Sequence, residues 1–149
     1  MKWMVTLTVI LALAATAAAQ RRGTPPAGRA SGQAGAMTAI GSAKDIMVAI
    51  TIPTSNDVFA AASEAPKDDA GWERAKNQAL ALAESANLLL MPARSGGRAD
   101  WNAFAVAQRD AAVVAMKAAE KKDANALSDA ADALYETCDN CHKKYMPGK

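Results

Sequence analysis

Hydrophobic and polar positions alternate along most of this chain with a period between three and four. From Trp72 the apolar residues recur at Ala75, Ala79, Leu82, Ala86 and Leu89. That is one face of an amphipathic helix, opened by Asp68 or Asp69 as a cap and running to Met91 before Pro92. A second stripe carries Trp101, Phe104, Gln108, Ala111, Ala115 and Ala119, starting near Asp100 and ending around Lys121-Lys122-Asp123. A third starts near Asp123 and carries Leu127, Ala131, Leu134, Cys138, Cys141 and Tyr145. Ahead of these, a helix is expected from about Thr38. Pro53 should break or kink it, because proline brings no backbone donor and crowds the preceding turn. Ser55, Asn56 or Asp57 would cap the restart. The stretch from Pro92 through Gly96-Gly97 reads as a loop.

Strand signals are essentially absent, since β-branched residues are few and do not alternate with polar ones. Four amphipathic helices joined by short connections predict an all-α fold, an antiparallel up-down-up-down four-helix bundle. Many stripe positions are alanine. The helices can therefore approach closely, but alanine fills little volume, which leaves room for something else in the core near one end.

The N-terminal quarter has a different composition. Residues 1–19 have a charged start at Lys2, an apolar run from Met4 to about Ala15, and small residues at Ala17-Ala18-Ala19, the pattern of a cleaved secretory signal peptide. The apolar run is short of the roughly 20 residues that span a bilayer, so no membrane span is expected in the mature chain. Residues 20–36, rich in Gly, Pro, Ala and Arg, read as a flexible linker. Residues 37–149 form the expected domain. Without Lys2 the chain carries 16 basic against 15 acidic side chains, and no basic stripe with interleaved aromatics appears, so a nucleic-acid partner is not expected.

The soft-ligand chemistry is confined to one window. Cys138 and Cys141 are the two cysteines and His142 is the one histidine, in the order Cys-Asp-Asn-Cys-His. On a helix the thiols lie one turn apart, with the imidazole four residues after the first thiol. This is the attachment signature of c-type haem: two thiols form thioethers to the vinyl groups and the imidazole binds iron. Placed at random, two Cys and one His reach this arrangement roughly once in ten thousand trials. Three other readings compete. A redox dithiol wants its first Cys at a helix N-terminus after a strand. A structural zinc needs four ligands. A disulfide within one helical turn has poor geometry.

A helical bundle with CDNCHKKY near its end resembles the class II cytochromes c, the cytochrome c′ and c556 group, over roughly residues 37–146. The resemblance implies one covalent haem c, held by Cys138 and Cys141 with His142 as proximal iron ligand. It implies single-electron transfer between redox partner proteins rather than catalysis. Covalent haem in an exported bundle points to the periplasm. Family members often pair through their first two helices, so a homodimer stays open.

The sixth iron ligand decides between two functions. In the expected topology Met37, Met47 and Met91 lie at the haem end, whereas Met116 lies roughly 22 Å away and Met146 is too close to His142 in sequence. Low-spin members of the family look to use a methionine in the first helix, which here is Met47. His/Met ligation raises the reduction potential. Without a distal ligand, the five-coordinate members of the family resemble binders of nitric oxide or carbon monoxide. Arg94 and Arg98 are candidates for pairing with the haem propionates. Lys143 and Lys144 could form a docking patch for an acidic partner, or simply oppose the helix dipole.

Overall fold

A computed structural model describes residues 37–148. The expected signal peptide and linker lie outside the described residues. What is described is all-helical, with no strand among the described residues. The elements are α1 (Ala43–Ser63), α2 (Asp69–Leu89), a single turn α3 (Pro92–Ser95), α4 (Ala99–Glu120) and α5 (Ala124–Tyr145). α2 packs along α4, α4 along α5, and α1 against both α2 and α5.

The caps fix where the helices start. The Asp68 carboxylate accepts the Gly71 N–H at 2.7 Å, and the Asp123 carboxylate accepts that of Ala126 at 3.0 Å. These satisfy amide donors that the first helical turn leaves unpaired. α1 opens at Ala43 rather than near Thr38, because Ser42 and Asp45 form a capping box. The Ser42 Oγ accepts the Asp45 N–H at 3.2 Å and the Asp45 carboxylate accepts the Ser42 N–H at 2.8 Å.

Of the expected break or kink at Pro53, the break does not occur. The chain stays helical from Ala43 to Ser63, but residues Met47–Thr51 widen into a π turn, in which the Ile52 N–H donates to the Met47 carbonyl five residues back. The wide turn gives a physical way past proline, whose ring would meet the carbonyl four residues earlier in a regular α-helix. Ser55 is not the cap of a restart. Its hydroxyl donates back to the Ile52 carbonyl at 3.0 Å, and the Thr54 hydroxyl donates to the Ile50 carbonyl at 2.8 Å. These bonds serve carbonyls in the disturbed stretch. By length and composition α1 is apolar enough to cross a membrane, although its inward face carries Thr51, Thr54, Ser55 and Val58.

The expected loop after Pro92 contains the turn α3, closed by Gly96 and Gly97 with φ of 57° and 74°. Two successive left-handed residues suit glycine, which has no Cβ to clash. The core lies along α2, α4 and α5. Leu82, Leu127, Leu134 and Val58 are its largest fully buried apolar side chains, and Ala79, Ala86, Ala112, Ala115 and Ala119 fill most of the rest. Every residue of the expected α2 stripe is buried. On α4 the expected face is rotated slightly: Ala105 and Ala112 are buried, whereas Phe104 and Ala111 are only half-buried.

Candidate functional site

α5 brings Cys138, Cys141 and His142 to its last two turns. Both cysteines are half-buried free thiols, and His142 is exposed. Facing them is a cleft in two adjoining parts. One, of about 350 Å³, is lined by Met47, Thr51, Ile52, Ser55, Phe59 and Gln108 together with Tyr135, Cys138, Asp139, Cys141 and His142. The other, of about 370 Å³, is lined mainly by apolar groups: Ala43, Met47, Val48, Ile52, Trp101, Tyr145 and Met146, again with Cys141 and His142. Each part alone is the size of a small-ligand pocket, roughly 300–1,000 Å³. Met47, Ile52, Cys141 and His142 border both, so the α1 thioether and the α5 imidazole share one cleft.

The floor of the first part is polar. Gln108 is 5 % exposed, and its side-chain Nε2 is buried with no hydrogen-bond partner. A buried amide nitrogen without an acceptor costs the desolvation of that group, so this position suits a bound molecule that presents an acceptor. Beside it, Thr51 donates to Ser85 at 3.0 Å and Ser85 to the Leu82 carbonyl at 2.7 Å, tying the π turn to α2. Tyr135 meets Phe59 edge-on at 6.5 Å.

The wall of the second part is aromatic. Trp101 meets Tyr145 edge-on at 4.9 Å, and Phe104 meets it at 6.2 Å. Trp101 is fixed by its indole N–H, which donates to the Leu89 carbonyl at 2.8 Å. Burial pushes both thiols above their ordinary range, more than Thr137 draws Cys138 down, and for Cys141 the neighbouring Cys138 and Asp100 add to the rise. A dithiol exchange site is built the other way, with a stabilised thiolate. Loss of water, then the neighbouring Asp100 carboxylate, raises the Tyr145 hydroxyl. That hydroxyl in turn holds Asp100 below the usual carboxylate range, although the Tyr145 oxygen itself is buried with no partner at hydrogen-bond distance.

The structure thus brings together Met47, Cys138, Cys141 and His142. It does not bring in Arg94 or Arg98, neither of which lines the cleft. Arg94 donates to the carbonyls of Gly41 and Leu88 at 3.0 and 2.8 Å and to the Met91 sulfur at 2.9 Å, clamping the approach to α1 onto the end of α2. Arg98 donates to the Ser95 carbonyl at 2.9 Å and lies 4.7 Å from the Trp101 ring centre. Met91, held by Arg94, is buried outside the cleft lining. Lys143 and Lys144 pair with Asp139 and Asp100. Among the described residues no group of three or more His, Cys, Asp and Glu is arranged to hold a metal ion.

Gln108 was legible only as a polar residue interrupting an alanine stripe. Thr51, Ser55 and Phe59 enter the cleft through the geometry of α1, for which the stripe pattern gave no warning. No protein-family model matches the chain, and no curated protein or solved structure matches it either.

Proposed function

We propose that this chain is an exported monohaem cytochrome of the c′/c556 type, carrying single electrons between redox partner proteins in the periplasm. One observation carries the reading: the Met47 thioether, from α1, borders the same cleft as Cys138, Cys141 and His142. Two thiols with attachment spacing, an imidazole beside them and a thioether across the cleft make the donor set of a six-coordinate c-type centre. The residues fit a haem in a further respect, since the cleft is apolar along Val48, Ile52, Trp101 and Tyr145 and has an unpartnered donor at Gln108.

Bound there, haem supplies the one-electron redox step at its iron. The chain supplies the rest. Cys138 and Cys141 would hold the group through two thioethers, each thiol adding its S–H across a double bond without an external oxidant. His142 would offer a nitrogen and Met47 a sulfur to its iron, and a donor set kept in both oxidation states would keep reorganisation on electron transfer small. The aromatic wall of Trp101 and Tyr145, backed by Phe104, excludes water from one side. We further infer that α1, α2, α4 and α5 form the antiparallel up-down-up-down bundle, with α3 inside the connection between the second and third long helices. The short connections 64–68 and 121–123 support this topology.

The test is an optical spectrum of the purified exported protein, oxidised and reduced, with and without carbon monoxide, repeated on Met47→Ala. The expected wild type is red, low-spin and indifferent to carbon monoxide, and Met47→Ala is high-spin and binds the gas. A high-spin, gas-binding wild type would make this an open haem of the gas-binding kind. Colourless protein with two free thiols would end the haem reading.

A further inference from the structure

In a regular α-helix the residues that line one side recur at intervals of three and four, about 100° of rotation per residue. On α1 the first part of the cleft is lined by Ile52, Ser55 and Phe59, spaced three and four apart, and by the buried Thr51 beside them. Continued toward the N-terminus without interruption, that side would next present Val48, four residues before Ile52. Met47 would lie one position further round, turned by about 100° toward the core face that carries Thr51, Thr54 and Val58. The structure shows the other arrangement. Met47 is half-buried and borders both parts of the cleft, whereas Val48 borders only the apolar part and is 61 % exposed.

The cause is the π turn Met47–Thr51. Because the Ile52 N–H reaches back five residues to Met47 rather than four to Val48, the turn holds one extra residue. Everything before it is shifted in phase by one position relative to everything after it. Met47 takes the angular place that Val48 would hold. Pro53, directly after the turn, is the sequence feature that disfavours the regular geometry, through its missing N–H and through its ring, which would press on the Ala49 carbonyl.

We propose that Pro53 is a positioning residue for the distal ligand: by holding the π turn open, it selects the methionine at position 47, instead of the valine at 48, to face His142 across the cleft. The proposal rests on the His142/Met47 reading above and deepens it. It also gives Pro53 a role in the site, since its ring acts about one turn away and need not touch the iron or its ligands.

The test is a register exchange read by spectroscopy. Three variants of the haem-loaded protein are compared with wild type: Pro53→Ala; the exchange Met47→Val with Val48→Met; and the exchange combined with Pro53→Ala. The readouts are the sulfur-to-iron charge-transfer band of the oxidised protein and carbon monoxide binding to the reduced protein. Helix content by circular dichroism is followed alongside. Pro53→Ala alone should close the turn, lose the band and bind the gas. The exchange alone should do the same, because it puts valine in the cleft. The combination should regain the band and exclude the gas, because closing the turn brings position 48 inward. Loss of a merely structural proline would not produce such a rescue.

Retention of the band in folded Pro53→Ala, or in the exchange alone, would overturn the proposal. If Pro53→Ala does not fold, the exchange on the native Pro53 background decides alone. Met47→Ala separates the two levels of argument. An unchanged spectrum there removes Met47 from the iron, and the proposal falls with the ligand. A changed spectrum there, with the band intact in Pro53→Ala, removes only the role of Pro53.

Discussion

Gln108 and Leu134 are both buried yet should respond oppositely to substitution. Leu134 is fully buried between helices, and Leu134→Ala should cost about 2–5 kcal/mol through lost contacts and a residual void. Denaturant titration at constant slope measures it. Gln108 carries a buried nitrogen with no partner. Replacing it with methionine should stabilise the chain with its cleft empty by about 1 kcal/mol, the order of an unmet hydrogen bond. Thermal unfolding of the unliganded chain checks this; a loss of stability would show that the amide is satisfied there. Cys138, Cys141 and His142 could be singled out as a candidate site from the sequence because the chemistry they suggest is carried by residue type and spacing alone. The contacts that Arg94 makes could not be read there. Its guanidinium answers to the carbonyls of Gly41 and Leu88, acceptors that have no signature in the sequence.

At the scale of the helix, local rules are visible where neighbours in sequence are also neighbours in space. The Asp68 and Asp123 caps and the whole inward face of α2 follow from a few consecutive residues. Asp68→Ala should cost about 1 kcal/mol, seen as a lower unfolding midpoint. Gly71, in the first turn of α2, reverses a familiar expectation. Glycine to alanine in a helix usually gains about 1 kcal/mol, but a Cβ here would stand 2.8 Å from the Pro66 Cβ. Gly71→Ala should therefore lower the unfolding midpoint, and a rise would show that the Pro66 corner yields. The first helix was misread at Pro53 because proline's local cost was legible and its relief was not. A break, a kink and a widened turn all answer the same steric demand. The widened turn goes with a bond between Thr51 and Ser85, 34 positions apart, which no local pattern announces.

For the molecule as a whole, acid should be more damaging than the nearly balanced charge suggests. Folding lowers the carboxyls of Asp45 through Ser42, of Glu73 through Lys76, and of Asp100 through Tyr145. A carboxyl lowered on folding binds fewer protons in the native state than in the unfolded one. Stability from these groups is thus complete above their unfolded values near 4 and is lost as pH falls through the lowered folded values. Unfolding midpoints measured from pH 7 down to 2 should decline across that window, and Asp45→Asn should flatten the decline. A midpoint independent of pH below 4 would contradict it.

The seam between α2 and α4 is built from Ala79, Ala112, Ala115 and Ala119, each essentially without exposure. Alanine has no side-chain rotor, so this seam gives up no rotamer freedom on folding and has no second conformation to adopt afterwards. A contact between leucines can loosen by degrees as side chains hop between wells. A contact between methyl groups on two backbones has only the helices themselves to move. The pair should behave as a single stiff plank, and whatever flexibility the protein needs for taking up a ligand must be found in α1, the one long helix that already carries a fault in its own winding.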